Sequence, residues 1–284
     1  MKPTLILLHG WSVQTTAAYG LLARRLAAEG YPLRNILLGR YLSLDGRITL
    51  DDLVEAFDAA LDQPPTGPEG GDPLRGPFSL IGHSTGGLLA WAWTARYSHL
   101  GTEPRPRQAR LRHLITLATP HHGSRLAHHS LAMFPELGRT DFPYARVLDD
   151  LELGSERLWD MTRDLIRRQP AGPDGFFSFS MAGGIPTPGS AERMMPAQRE
   201  AGSDGLVRIP SANPNTRSFR LTTGAAALEP LGGAQGTPFR IFWDRSHTDP
   251  ANGLLTGIPA EGPDAVVRAI LDSPNFAIAL KNTF

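Results

Sequence analysis

Ser84 lies between two glycines in Gly82-His83-Ser84-Thr85-Gly86, after the apolar run Phe78–Ile81 and at the head of the helix-like segment Gly86–Tyr97. A serine on a sharp strand-to-helix turn projects its hydroxyl out of the sheet, at the expense of a strained backbone. Bulky side chains two residues to either side would collide there, so Gly82 and Gly86 suit that geometry. The amides and dipole of the following helix point at the same spot. The stretch therefore reads as a nucleophile. The competing reading is a glycine-rich turn that packs tightly or cradles a phosphate, but a Walker-type loop requires Gly-x-x-x-x-Gly-Lys-Ser/Thr and no lysine is present here. A serine hydroxyl is a poor nucleophile near neutral pH and needs a base within hydrogen-bonding reach. Histidine suits that task because it titrates near neutrality, and the chain offers nine.

The elements that would position such a group alternate along the chain. Thr4–Leu8 is a short apolar strand suited to burial on both faces, Leu33–Leu38 a second buried strand, and Phe78–Ile81 and Leu111–Leu117 a third and fourth strand. Between them lie helical patterns over Thr15–Glu29, from a Thr49 cap to Leu61, and over Gly86–Tyr97. Alternation of this kind implies βαβ units and a mostly parallel central sheet flanked by helices, the α/β class. Gln63–Pro77 is a Pro/Gly-rich surface loop, and the loop bearing Arg105, Arg107 and Arg110 is a solvated surface. Residues 125–170 break the alternation with helix-like apolar positions, among them Leu126, Phe134, Val147, Leu158, Trp159 and Leu165. They are expected to form a helical lid or cap insertion within a single domain spanning 1–284. Phe176–Met181, Arg217–Leu221 and Phe239–Trp243 are further strand candidates, and Asp264–Leu271 a final helix.

Composition bounds the chemistry. The chain has 284 residues, 41% hydrophobic and 20% charged, which suits an ordinary globular protein. Its 28 basic and 28 acidic residues cancel, so no global charge argues for nucleic acid or an anionic membrane as partner. With no cysteine, disulfides, thiolate nucleophiles and Cys-based zinc sites are excluded. No apolar run approaches the ~20 residues of a membrane span. Leu5–Leu8 is too short for the core of a signal peptide, so a cytoplasmic location is the expectation.

Four stretches together resemble the serine esterases and lipases of the α/β-hydrolase superfamily, nearest the bacterial lipases and the GPI-inositol-deacylase-like esterases. They are Leu7-Leu8-His9-Gly10-Trp11, Gly82-His83-Ser84-Thr85-Gly86, Thr119-Pro120-His121-His122-Gly123-Ser124 and Ser203-Asp204-Gly205-Leu206-Val207. A histidine in Asp244-Arg245-Ser246-His247-Thr248-Asp249 completes the set, in the family's order. The resemblance implies an α/β-hydrolase fold with Ser84 as nucleophile. His247 would serve as general base and acid, and His121 and His122 would shape a wall after a strand. His9 would be structural, and His83 would point away from its neighbour Ser84. Asp204 would fix the tautomer of His247 and stabilise its imidazolium, in the chain order Ser, Asp, His of this fold. Competing readings are a surface loop for His247 and a plain Asp-Gly turn for Asp204. Asp244 and Asp249 flank His247 too closely to bridge to it easily. The backbone N–H groups of Trp11 and Thr85 would form the oxyanion hole.

The function expected is therefore serine carboxylic-ester hydrolysis through an acyl-enzyme, with no cofactor. A small-molecule or lipid ester is the partner, and no calcium ligand set of the kind some bacterial lipases use can be matched. An apolar insertion and Met194-Met195-Pro196 favour lipid-like or medium-chain acyl esters. An acyltransferase, thioesterase or amide hydrolase would use the same three residues, whereas a non-catalytic binding protein on this fold would be expected to lack one. A secreted phospholipase would need an export route.

Overall fold

The first strand, β1 (Thr4–Leu8), carries four consecutive apolar residues, Leu5 to Leu8, each no more than 1% exposed. Such a strand needs cover on both faces, and burying each side chain is worth roughly 1.5–3 kcal/mol. The computed structural model describes residues 2–10, 19–36, 48–62, 74, 76–97, 110–125, 146–168, 176–184, 202–215, 218–221, 228–231, 237–243 and 245–247. In chain order β1 is followed by α1 (Gly20–Ala28), β2 (Leu33–Ile36), α2 (Leu50–Asp62), β3 (Phe78–His83), α3 (Thr85–Tyr97) and β4 (Leu111–Leu117). Then come α4 (Arg146–Asp150), α5 (Glu156–Arg168), β5 (Phe177–Gly183), α6 (Ile209–Ala212), β6 (Ser218–Leu221), β7 (Leu228–Leu231) and β8 (Phe239–Phe242).

Six strands form one parallel sheet in the order β2-β1-β3-β4-β5-β8. The period-two alternation divides the buried side chains between two layers. Ile6, Leu8, Phe78, Leu80 and Leu114 face the layer holding α2, α3 and α5. Leu5, Leu7, Ile81, Ile115 and Met181 face the layer of α1. The sequence expectation of a parallel α/β sheet holds. Ser218–Leu221 does not join that sheet; it pairs antiparallel with Leu228–Leu231 in a separate hairpin.

The helix boundaries follow their caps. Thr49 closes a box with Asp52: the Thr49 amide donates to Asp52 Oδ2 at 2.9 Å, and the Asp52 amide donates to Thr49 Oγ1 at 3.3 Å. At the other end of α2, Arg34 donates to the carbonyls of Ala60 and Leu61. Arg110, expected on a solvated surface, donates to the Leu74 carbonyl at 2.8 Å.

The described part of the insertion, α4 and α5, packs into the main core. Val147, Leu158 and Leu165 are fully buried in the cluster that holds Trp91 and Trp93 of α3. Polar ties reinforce the packing: Arg157 bridges Asp51 at 2.6 Å and Asp150 at 2.9 Å, and the Val147 amide donates to the Ile48 carbonyl at 3.1 Å. Residues 126–145, Met194–Pro196, the candidate helix 264–271, Arg105, Arg107, Trp11, His99, His128, His129, Asp244 and Asp249 lie outside the described residues. Among the described residues no helix is long and apolar enough to cross a membrane.

Candidate active site

Ser84 and His247 come after β3 and β8, and a Cβ on Gly183 at the end of β5 would sit 2.9 Å from Asp204 Cβ, so the three gather at the carboxyl ends of parallel strands, where open α/β sheets form their clefts. Ser84 follows β3 directly and has φ 54°, a left-handed conformation that is strained for any residue but glycine. Its amide donates to the Leu117 carbonyl at 2.9 Å, carrying the β3–β4 ladder one residue into the turn. The flanking glycines are demanded by close approach. A Cβ on Gly82 would lie 2.5 Å from the Gly87 Cα, and one on Gly86 would overlap the carbonyl oxygens of Leu8 and His9. Thr85 opens α3, so its amide has no acceptor within the helix and points with the positive end of the dipole.

The chain after β1 passes against this turn. A Cβ on Gly10 would sit 3.1 Å from Ser84 Cβ and 3.5 Å from Ser84 Oγ. Trp11, the residue after it, lies outside the described residues, and Thr85 is where the sequence placed it.

Asp204 sits in the loop 202–208 before α6, and its two oxygens are used differently. Oδ1 accepts the amides of Leu206 at 3.0 Å and Val207 at 2.7 Å, which closes the loop on itself. Gly205, at φ 104°, allows the reversal that brings those amides round. Oδ2 accepts Nδ1–H of His247 at 2.8 Å. The pair is buried, His247 at 3% and Asp204 at 1% exposure. The His247 amide also donates to the Asp204 carbonyl, at 2.9 Å. With the proton on Nδ1, Nε2 is left as an acceptor, the form a general base requires. The structure brings together the carboxylate and the imidazole that the sequence reading singled out, across the 42 residues that separate them.

The other described histidines are engaged elsewhere. Nδ1 of His113 lies 2.8 Å from Ser79 Oγ. His121 is fully buried against the edge of Trp91, with Nε2 at 3.1 Å from Thr116 Oγ1 and 3.3 Å from Ser180 Oγ. Burial, and secondarily His122, hold its proton affinity well below the usual imidazole range. His122 stacks on Trp159 with centroids 4.2 Å apart and donates from Nε2 to the Asn213 carbonyl at 3.0 Å. Both lie in the stretch after β4 to which the resemblance assigns a wall. His9 Nδ1 lies 2.9 Å from the Gly10 carbonyl oxygen, and burial lowers its pKa.

The ring of His83 lies 4.6 Å from that of His247, centroid to centroid, a contact the sequence reading did not anticipate. Burial, then the neighbouring His247, drive its pKa well down. The available signal was the parallel register: Leu8 pairs with Gly82, so His9 and His83 leave adjacent strands side by side. Among the described residues no group of three or more His, Asp or Glu side chains is placed to hold a metal ion.

No protein-family model matches the sequence, and no curated protein matches it significantly. Solved structures do match. The phospholipase PlaB of Legionella pneumophila superposes with a TM-score of 0.70 at 25% identity, over 98% of this chain and 59% of its own. Its complex with thio-NAD gives 0.68 at 25% identity, over 98% and 57%. A mature lipase of Bacillus licheniformis aligns with a TM-score of 0.49 at 20% identity, over 90% and 89%. This chain therefore spans about three-fifths of the length of the phospholipase, 59%. The parallel sheet and the superposition on the phospholipase agree with the expected fold: the chain has the α/β-hydrolase fold.

Proposed function

We propose that the chain is a serine carboxylic-ester hydrolase in which Ser84, His247 and Asp204 act as nucleophile, base and orienting acid. The observation that carries this reading is the buried Asp204–His247 bond of 2.8 Å, in a loop whose histidine ring touches the residue next to Ser84. Neither a surface loop nor a plain turn would require a buried, hydrogen-bonded imidazole–carboxylate pair beside a strained serine.

In the reaction Nε2 of His247 takes the hydroxyl proton as Ser84 Oγ attacks the ester carbonyl. The imidazolium that forms is stabilised by Asp204 Oδ2 through Nδ1–H. The oxyanion is met by the Thr85 amide at the head of α3 and by the amide of Trp11. The second assignment rests on sequence resemblance and on the close passage of Gly10 past Ser84. His247 then protonates the departing alkoxide. Water, deprotonated by the same imidazole, cleaves the acyl-enzyme and frees Ser84. No cofactor enters this scheme.

The substrate class is a lipid-like or medium-chain acyl ester, supported by the apolar composition of the insertion and the likeness to a phospholipase. Hydrolysis of p-nitrophenyl esters of rising acyl length tests both parts. Wild-type protein is expected to turn over, with an optimum above the shortest chain, and Ser84→Ala to lose at least about 10⁴-fold in kcat. Full turnover by Ser84→Ala would overturn the mechanism, and an optimum at the shortest ester would overturn the substrate class alone.

A further inference from the structure

His83 takes no part in the chemistry just described, yet it touches the residue that does. It ends β3 and is 5% exposed. Its ring is inclined at 45° to that of His247 with centroids 4.6 Å apart, and its buried Nε2 makes no hydrogen bond among the described residues. On its other side a Cβ on Gly10 would sit 3.6 Å from Nδ1. The ring is thus wedged between the chain leaving β1 and the loop that follows β8.

That loop needs a fastening. The bond to Asp204 holds the imidazole of His247 at one vertex, Nδ1, and the ring retains freedom to swing about that contact. A second surface against the ring removes the freedom. We propose that His83 is a positioning residue: its ring braces that of His247, so the strand that presents the nucleophile also sets the place of its base. This inference rests on the hydrolase reading above and deepens it. Ser84 is the next residue in the chain, so any shift of the β3 end would carry nucleophile and base together and preserve their spacing.

The brace is kept neutral by its setting. The titratable groups around it are His9 from β1 and His247 from the loop after β8, with Asp204 beyond His247. Burial and those two imidazoles oppose protonation of His83. It therefore adds no like charge when His247 becomes an imidazolium.

The test compares His83→Ala, His83→Phe and His83→Gln for kcat, KM, Tm and the rate at which a fluorophosphonate labels Ser84. A displacement of ~1 Å in a catalytic group costs up to about 10²-fold. His83→Ala is therefore expected to lose about 10- to 100-fold in both kcat and labelling rate, with KM held within about twofold. His83→Phe keeps the ring face against His247 and should recover most of that loss. His83→Gln keeps a polar side chain without a ring and should recover less than Phe. Should the alanine variant fail to fold, the Phe and Gln variants decide by the same ordering. A folded alanine variant with wild-type kcat and labelling would overturn the inference. So would Gln matching or exceeding Phe, or losses that track Tm alone. A wild-type protein that neither hydrolyses esters nor labels at Ser84 would overturn the hydrolase reading, and this inference with it.

Discussion

Replacing Asp204 separates two duties that the structure gives one carboxylate. Oδ1 closes its own loop through the amides of Leu206 and Val207, and Oδ2 holds Nδ1 of His247. In Asp204→Asn the side-chain oxygen can still take both amides, so the loop keeps its shape. The amide NH₂ then faces His247, and only the tautomer with the proton on Nε2 can pair with it. That tautomer cannot accept the proton of Ser84. Loss of about 10⁴-fold in kcat is expected, near 5.4 kcal/mol at about 1.36 kcal/mol per decade, with Tm close to wild type. Asp204→Ala removes the acceptor for both loop amides as well, at about 1–3 kcal/mol for each donor left buried and unpaired. It should lower Tm by several degrees in addition to removing activity. Ester hydrolysis at saturating substrate, beside thermal melts of both variants, measures the two effects separately. Asp204→Asn with activity within tenfold of wild type, and an unchanged melt, would refute the assignment of the acid.

Four further outcomes follow, three from the packing and one from the buried imidazoles. Leu165→Ala, at a fully buried position in the core shared with α3, is expected to lower stability by about 2–5 kcal/mol in a single unfolding transition. Arg157→Ala, whose side chain is 34% exposed, should cost no more than ~1 kcal/mol. An unmoved main transition in Leu165→Ala would mean that α5 is a separate flap. Gly82→Ala forces a Cβ onto the Gly87 Cα, and should destabilise by at least about 1–3 kcal/mol in denaturant melts and misplace the elbow. Wild-type stability and activity in that variant would contradict the geometry.

His83 and His121 are held neutral by burial, so the folded chain binds fewer protons than the unfolded one once pH falls below the ordinary imidazole value. Stability should be level above about pH 7.5 and then fall as pH drops through ~6.5, by about 1.4 kcal/mol per unit for each of them. Urea melts across that range check the slope, and His121→Gln should reduce it. A pH-independent midpoint would contradict the burial of these rings.

What could be read from the chain and what could not divides along physical lines. Leu5–Leu8 is a continuous apolar run, and a sheet covered on both faces accounts for it. Gly82 and Gly86 declared the elbow because the requirement for no side chain is local. The separate hairpin was not legible, since nothing in Ser218–Leu221 specifies which edge it pairs with. Nor was the role of α4 and α5, because apolar helix positions such as Leu158 and Leu165 look alike whether they line a lid or fill a core. The pairing of Asp204 with His247 came through the order of motifs and not through spacing. The contact of His83 with His247 was not legible for a related reason. Neighbours along a strand alternate in direction, but the turn at Ser84 ends the strand, and the contact of His83 with His247 depends on a loop more than 150 residues further on.

The central claim is that the hydroxyl of Ser84 is activated by the imidazole of His247. Mass spectrometry of the intact chain and its peptides after brief exposure to a fluorophosphonate tests it directly, without knowledge of the natural ester. The account predicts one adduct, on the peptide holding Ser84, formed rapidly in the wild type and at least about 10³-fold more slowly in His247→Ala. An adduct on a different residue, or equal labelling of Ser84 with and without His247, would contradict it.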